Sequence, residues 1–309
     1  MKRMIPTLLC TIIALVAAGL TACSSENISD ETESITETTT ETTAVDSLEL
    51  WSRRDTNRIY GVMYRTASPK RMPAVILSHS SSLTHTAMAD YARKIAEHGF
   101  AAYCFDFCGG SPSSQSDGSS DQMTVFTEVE DLRAVVKTVK AEAYVDSTRV
   151  FLMGSSQGGL VSALLADETP EAFSGMVLLY PAFNIPDLVR TFSSLANGQA
   201  GGWGGLSGQL PMGQDYLSTL KDFDVWSHIG RFAHPVCILH GTQDIIVPMS
   251  YSEKAADLYP DAQLHPVEGA NHGFNKANLG SLGSLLGGQA DYDGIVLPIV
   301  LEFLKTHSL

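Results

Sequence analysis

Through most of the chain after residue 70, short apolar runs alternate with longer stretches whose apolar positions recur at helical spacing. Ala74–Ser78, Ala101–Asp106, Arg149–Met153, Gly175–Tyr180, Pro235–His240 and Ala262–Val267 read as strands, being too short and too uniformly apolar for surface helices. Met88–His98, Phe126–Lys140, the stretch from Leu160, Met249–Leu258 and Tyr292–Lys305 read as helices. Strands that take turns with helices predict the α/β class, with a mostly parallel sheet and helices on both of its faces. There is no internal repeat, and about 260 residues suffice for one large core.

The N-terminal residues break this pattern. Met1-Lys2-Arg3 is a positive start, Leu8 to Leu20 is apolar, and Leu20-Thr21-Ala22-Cys23 supplies small residues followed by a cysteine. That order predicts a bacterial lipoprotein signal over residues 1–22, cleaved before a lipidated Cys23; an uncleaved membrane helix is the alternative, for which the stretch is short. Ser24 to Ser47 is mostly Ser, Thr and acids with no basic residue. With so little to bury, residues 23–47 are expected to be a disordered tether. The folded domain is then 48–309, held outside the cytoplasmic membrane by lipid. The tether carries much of the formal net charge of −14, and the remaining acidity argues against nucleic acid as a partner.

Candidate chemistry centres on Gly154-Ser155-Ser156-Gln157-Gly158, set between a strand and a helix. A G-x-S-x-G in that setting forms a nucleophile elbow, a tight turn that exposes the serine hydroxyl while glycines permit close approach of strand and helix. A serine hydroxyl needs an imidazole to take its proton, and the imidazole needs a carboxylate to orient it. Downstream, Gly241-Thr242-Gln243-Asp244 follows a strand, and Glu268-Gly269-Ala270-Asn271-His272-Gly273-Phe274 follows the last one. Taken singly, Asp244 also suits a helix N-cap and His272 a surface loop.

With these three segments in the order Ser, Asp, His, residues 48 to 309 resemble the α/β-hydrolase family. The resemblance implies Ser156 as nucleophile, His272 as general base and then acid, and Asp244 as the orienting carboxylate. It also implies an oxyanion hole made by the N–H of Gln157 and one from the loop His79-Ser80-Ser81-Ser82. Ser80 stands where the family usually has glycine, so the second donor is open between Ser80 and Ser81; position in related esterases favours Ser81. His79 is expected to brace this loop.

Tyr103 to Ser113 looks like the D-x-x-G-x-G-x-S loop of many esterases, with Asp106, Gly109 and Ser113 in place and Ser111 where the second glycine belongs. Together with Ser156-Gln157-Gly158-Gly159 it is similar to bacterial cinnamoyl and feruloyl esterases. Such enzymes carry a lid insertion, here about 182–230, in which Trp203, Tyr216, Phe223 and Trp226 are candidate substrate contacts; Trp203 and Trp226 are the two singled out.

No cofactor or metal is implied, since no cysteine and histidine spacing suits zinc. Cys104 and Cys237 read as core residues, and a Cys104–Cys108 disulfide stays open. His85, His98, His228 and His265 have no partner pattern and read as surface or packing residues. The expected function is a serine esterase acting through an acyl-enzyme on small or cell-wall-derived esters, with hydroxycinnamoyl esters leading. A peptidase or acyltransferase of the same fold, or an inactive binding lipoprotein, are the alternatives.

Overall fold

The computed structural model describes residues 44–195, 213–275 and 292–309. The signal segment, Cys23, most of the tether, Trp203 and the middle of the 182–230 insertion lie outside them. Eight strands form one sheet: β1 (Val45–Arg54), β2 (Asn57–Thr66), β3 (Met72–Ser78), β4 (Ala101–Phe105), β5 (Val145–Ser155), β6 (Gly175–Leu179), β7 (Val236–Gly241) and β8 (Ala262–Val267). Their spatial order is β1-β2-β4-β3-β5-β6-β7-β8. β1 and β2 pair antiparallel, as do β2 and β4, and all later neighbours are parallel.

The described α-helices are α1 (Ala89–Glu97), α2 (Val125–Ala141), α3 (Gln157–Glu168), α4 (Ile185–Leu195), α5 (Gln214–Lys221), α6 (Ser250–Leu258) and α7 (Asp293–His307). Strand alternation divides the core into two layers. Ala74, Ile76 and Leu152 face one cluster with α2, α3 and α5, whereas Val75, Leu77, Phe151 and Met153 face another with α1 and α7. Both faces are covered, so the central strands are apolar throughout rather than alternating.

The β1–β2 hairpin is absent from the strands read off the sequence. β1 starts at Val45, three residues inside the segment expected to be tether up to Ser47. The physical reason is its edge position: Asp46 and Glu49 stay in solvent while the backbone pairs with β2, so the strand needs little apolar surface of its own. Cys104, Cys108 and Cys237 are all free and buried, which removes the Cys104–Cys108 disulfide.

Candidate active site

The carboxyl ends of β5, β7 and β8 bring the three separated segments together. Ser156 sits between β5 and α3 with φ +50° and ψ −118°, a backbone conformation that costs about 1–3 kcal/mol in a non-glycine residue. The turn is held by Ser156 N–H donating to Leu179 O at 2.9 Å, Ala182 N–H donating to Ser156 O at 2.9 Å, and Gly159 and Leu160 N–H closing on the same oxygen. At about 1 kcal/mol net each, such bonds offset the strain. A Cβ on Gly158 would overlap the carbonyls of Ser78 and His79, and one on Gly154 would overlap Gly158. Glycine is therefore required at both.

Ser156 Oγ lies 3.1 Å from His272 Nε2, and His272 Nδ1 lies 2.7 Å from Asp244 Oδ2. A carboxylate only accepts, so Nδ1 carries the hydrogen and Nε2 is left as an acceptor toward the serine. Asp244 Oδ1 accepts from the N–H groups of Ile246 (2.8 Å) and Val247 (2.9 Å). The turn-capping role and the imidazole-orienting role thus fall on different oxygens of one residue. Tyr180, itself at φ +37°, meets the His272 ring edge-on at a centroid distance of 4.7 Å.

A further histidine, not singled out in the sequence, completes this cluster. His240, fully buried at the end of β7, places Nε2 3.2 Å from Asp244 Oδ2 and 2.8 Å from Val247 O. Both are acceptors, so Nε2–H is shared between them; Nδ1 meets Ser252 Oγ at 2.7 Å. Burial pushes the Asp244 carboxyl up, but donation from His240 and His272, the His272 charge and the Val247 N–H together hold it well below the usual carboxylate range. Its signal in the sequence was the placement of His240 four residues before the acid at a strand end.

The loop after β3 is braced by His79, whose Nδ1 donates to Ser80 O (2.8 Å) while Nε2 accepts from Phe107 N–H (3.2 Å). Burial lowers the His79 pKa, which suits a neutral ring with one donor and one acceptor. Ser80 is buried and turns its hydroxyl to Ser155 Oγ at 2.9 Å. Ser81 is half-buried in the turn that Leu83 N–H closes onto Ser80 O. Gln157 is the first residue of α3, a position where the N–H has no intrahelical partner.

His85 departs from the surface or packing role read for it. Its Nδ1 lies 2.7 Å from Asp106 Oδ1, and its N–H donates to the same oxygen at 2.6 Å. Asp106 is fully buried and also accepts from Gln115 N–H; distant pairs of this kind leave no trace in local spacing. Trp226 packs against Phe183 and Tyr251, with Lys254 Nζ 4.1 Å from its ring centroid, which gives it a packing place at the base of the insertion. Phe223 likewise packs on Phe126.

Fold and site geometry are of the serine-hydrolase type. The chain has the α/β-hydrolase fold, and residues 69–204 match the family model described as serine aminopeptidase, S33. That match includes the elbow but ends before Asp244 and His272. The acylamino-acid-releasing enzyme of Mus musculus is 27% identical over 187 residues, 58% of this chain and 25% of that protein. The chain thus matches about a quarter of the length of these mammalian relatives. Among solved structures, Est1E from Butyrivibrio proteoclasticus with bound ferulic acid has a TM-score of 0.65 at 21% identity, covering 83% of this chain and 96% of that one. DcsB in complex with its substrate analogue has a TM-score of 0.63 at 19% identity, covering 85% of this chain and 100% of that one.

Proposed function

We propose that this chain hydrolyses carboxylic esters through an acyl-enzyme on Ser156. The observation that carries the reading is the unbroken line from Ser156 Oγ to His272 Nε2 at 3.1 Å and from His272 Nδ1 to Asp244 at 2.7 Å. Ser156 Oγ attacks the ester carbonyl as His272 takes its proton, and His272 then passes that proton to the departing alkoxide oxygen. Water enters, gives a proton to His272 as its oxygen attacks the acyl carbon, and the proton returns to Ser156 as the acid leaves. Asp244 stays ionised and stabilises the imidazolium at each stage. The N–H groups of Gln157 and Ser81 are the proposed oxyanion hole, each worth about 2.7–4 kcal/mol to the transition state.

Hydroxycinnamoyl esters are the proposed substrate class, supported by the D-x-x-G-type loop and by the likeness in fold to a protein solved with ferulic acid. The names of the sequence relatives favour a second reading, cleavage of acylaminoacyl amides. A side-by-side measurement of kcat/KM on methyl ferulate, short acyl esters and acylaminoacyl amides separates them: ester preference supports the proposal, and amide preference overturns it. We place the enzyme outside the cytoplasmic membrane, tethered by lipid on Cys23. Release of a Cys23→Ser protein from the membrane fraction is the expected result, and unchanged membrane association refutes it.

A further inference from the structure

A buried chain of three side chains is centred on the residue that follows the nucleophile, and the proposed ester mechanism does not use these side chains. Gln157 Nε2 donates to Glu128 Oε2 at 2.8 Å, and Tyr216 Oη donates to Gln157 Oε1 at 2.7 Å. The three residues are 1%, 1% and 0% exposed. They come from three elements: Glu128 from α2, Gln157 from the start of α3, and Tyr216 from α5 in the insertion. The seat of α5 is tight, because a Cβ on Gly213 just before it would overlap the Asp121 carbonyl, and Phe223 just after it meets Phe126 of α2 edge-on at 5.0 Å.

We infer that Tyr216 and Glu128 are positioning residues for the oxyanion hole, gripping the Gln157 carboxamide from both ends and so fixing the orientation of its backbone N–H. A carboxamide has one acceptor and one donor group, and here each is engaged by a fully enclosed partner. With the side chain pinned at both ends, rotation of the peptide that precedes Gln157 would break buried hydrogen bonds with no water to replace them. The insertion thereby contributes a hydroxyl to the catalytic centre without touching the reacting atoms. Glu128 fits this role as a neutral acid. Burial pushes its carboxyl up to about 8, with Asp131 on the same helix adding to the shift, and Asp131 itself is paired to Arg54 of β1 at 2.5 Å.

The inference rests on Ser156 as nucleophile, so the wild-type protein is first labelled with a fluorophosphonate and assayed on p-nitrophenyl acetate. Tyr216→Phe is then compared with Glu128→Gln, Glu128→Leu and Gln157→Met, which keeps the backbone N–H but loses the carboxamide. Tyr216→Phe, Glu128→Leu and Gln157→Met are each expected to lose about tenfold in kcat with KM within about twofold, a displaced donor costing the transition state alone. Their affinity for phenylboronic acid, which forms a tetrahedral adduct on an activated serine, is expected to fall by the same factor. Glu128→Gln, whose carbonyl still accepts, is expected to keep near wild-type values. If one variant fails to fold, the others carry the comparison. Wild-type kcat and boronate affinity in the folded variants overturn the inference while leaving the nucleophile intact, as does a rise in KM at constant kcat. A wild-type protein that neither labels nor hydrolyses the ester overturns both.

Discussion

Asp244 and Glu128 are both buried carboxyl groups, and each is linked to the nucleophile turn through one intermediate side chain, His272 in the first case and Gln157 in the second. Their protonation differs. Asp244 receives hydrogens from two imidazoles and two backbone amides and is held ionised. Glu128 receives one carboxamide N–H, and burial leaves it neutral below about pH 8. The number and charge of donors, more than depth of burial, therefore decides which carboxyl is charged. The difference suits the proposed chemistry: charge is kept where an imidazolium would form, and withheld one residue from the proposed nucleophile, where an oxyanion would be repelled.

The largest expected effect comes from making the first site resemble the second. Asp244→Asn removes the charge and favours the wrong imidazole tautomer, so kcat on an activated ester is expected to fall by about 10⁴. A fall of less than tenfold would show that the charge at Asp244 is unimportant. His240→Phe takes away one donor and leaves Ser252 and Val247 without their partner, with an expected loss of about 1–3 kcal/mol in denaturant unfolding. With one fewer donor the Asp244 pKa rises toward the ordinary carboxylate value, so the stability lost as pH falls below that value is expected to be smaller than in wild type. An unchanged acid dependence of stability would count against His240 as a partner of the acid.

The smallest expected effect is a pH dependence of stability at Glu128. Glu128 has a folded pKa raised above its unfolded one, so the wild-type protein holds an extra proton in the folded state between about 4.3 and about 8. Its contribution to stability is fully present below the unfolded value and is lost as pH rises through the folded one. Asp244 works in the opposite direction, its contribution being present above the unfolded carboxylate pKa and lost as pH falls toward the lower folded one. Glu128→Gln abolishes the first dependence. Its stability relative to wild type is expected to increase by at least about 1 kcal/mol between pH 5 and pH 8, and a flat difference would contradict a neutral Glu128.

What could be read in the sequence follows the range of the interactions. The central strands were legible because burial on both faces makes them continuously apolar, and Gly154 and Gly158 because a close backbone approach forbids a Cβ. The β1 edge was not, since its exposed positions mix Asp46 and Glu49 with Leu48 and Trp51 on both faces. Ser156, Asp244 and His272 stand at element ends, where loop chemistry and chain order mark them. Glu128, Tyr216, His85 and Asp106 meet their partners only across the fold, at 29, 59 and 21 residues' separation. Helical or strand periodicity carries no record of such pairs.

The proposed function turns on activation of the Ser156 hydroxyl by His272 and Asp244. Peptide mapping of the native protein after reaction with a fluorophosphonate, alongside a His272→Ala protein, measures that activation. A single stoichiometric adduct on Ser156 is expected, absent or slowed by several orders of magnitude in the variant. Folded protein that remains unlabelled, or an adduct formed equally fast without His272, would contradict it.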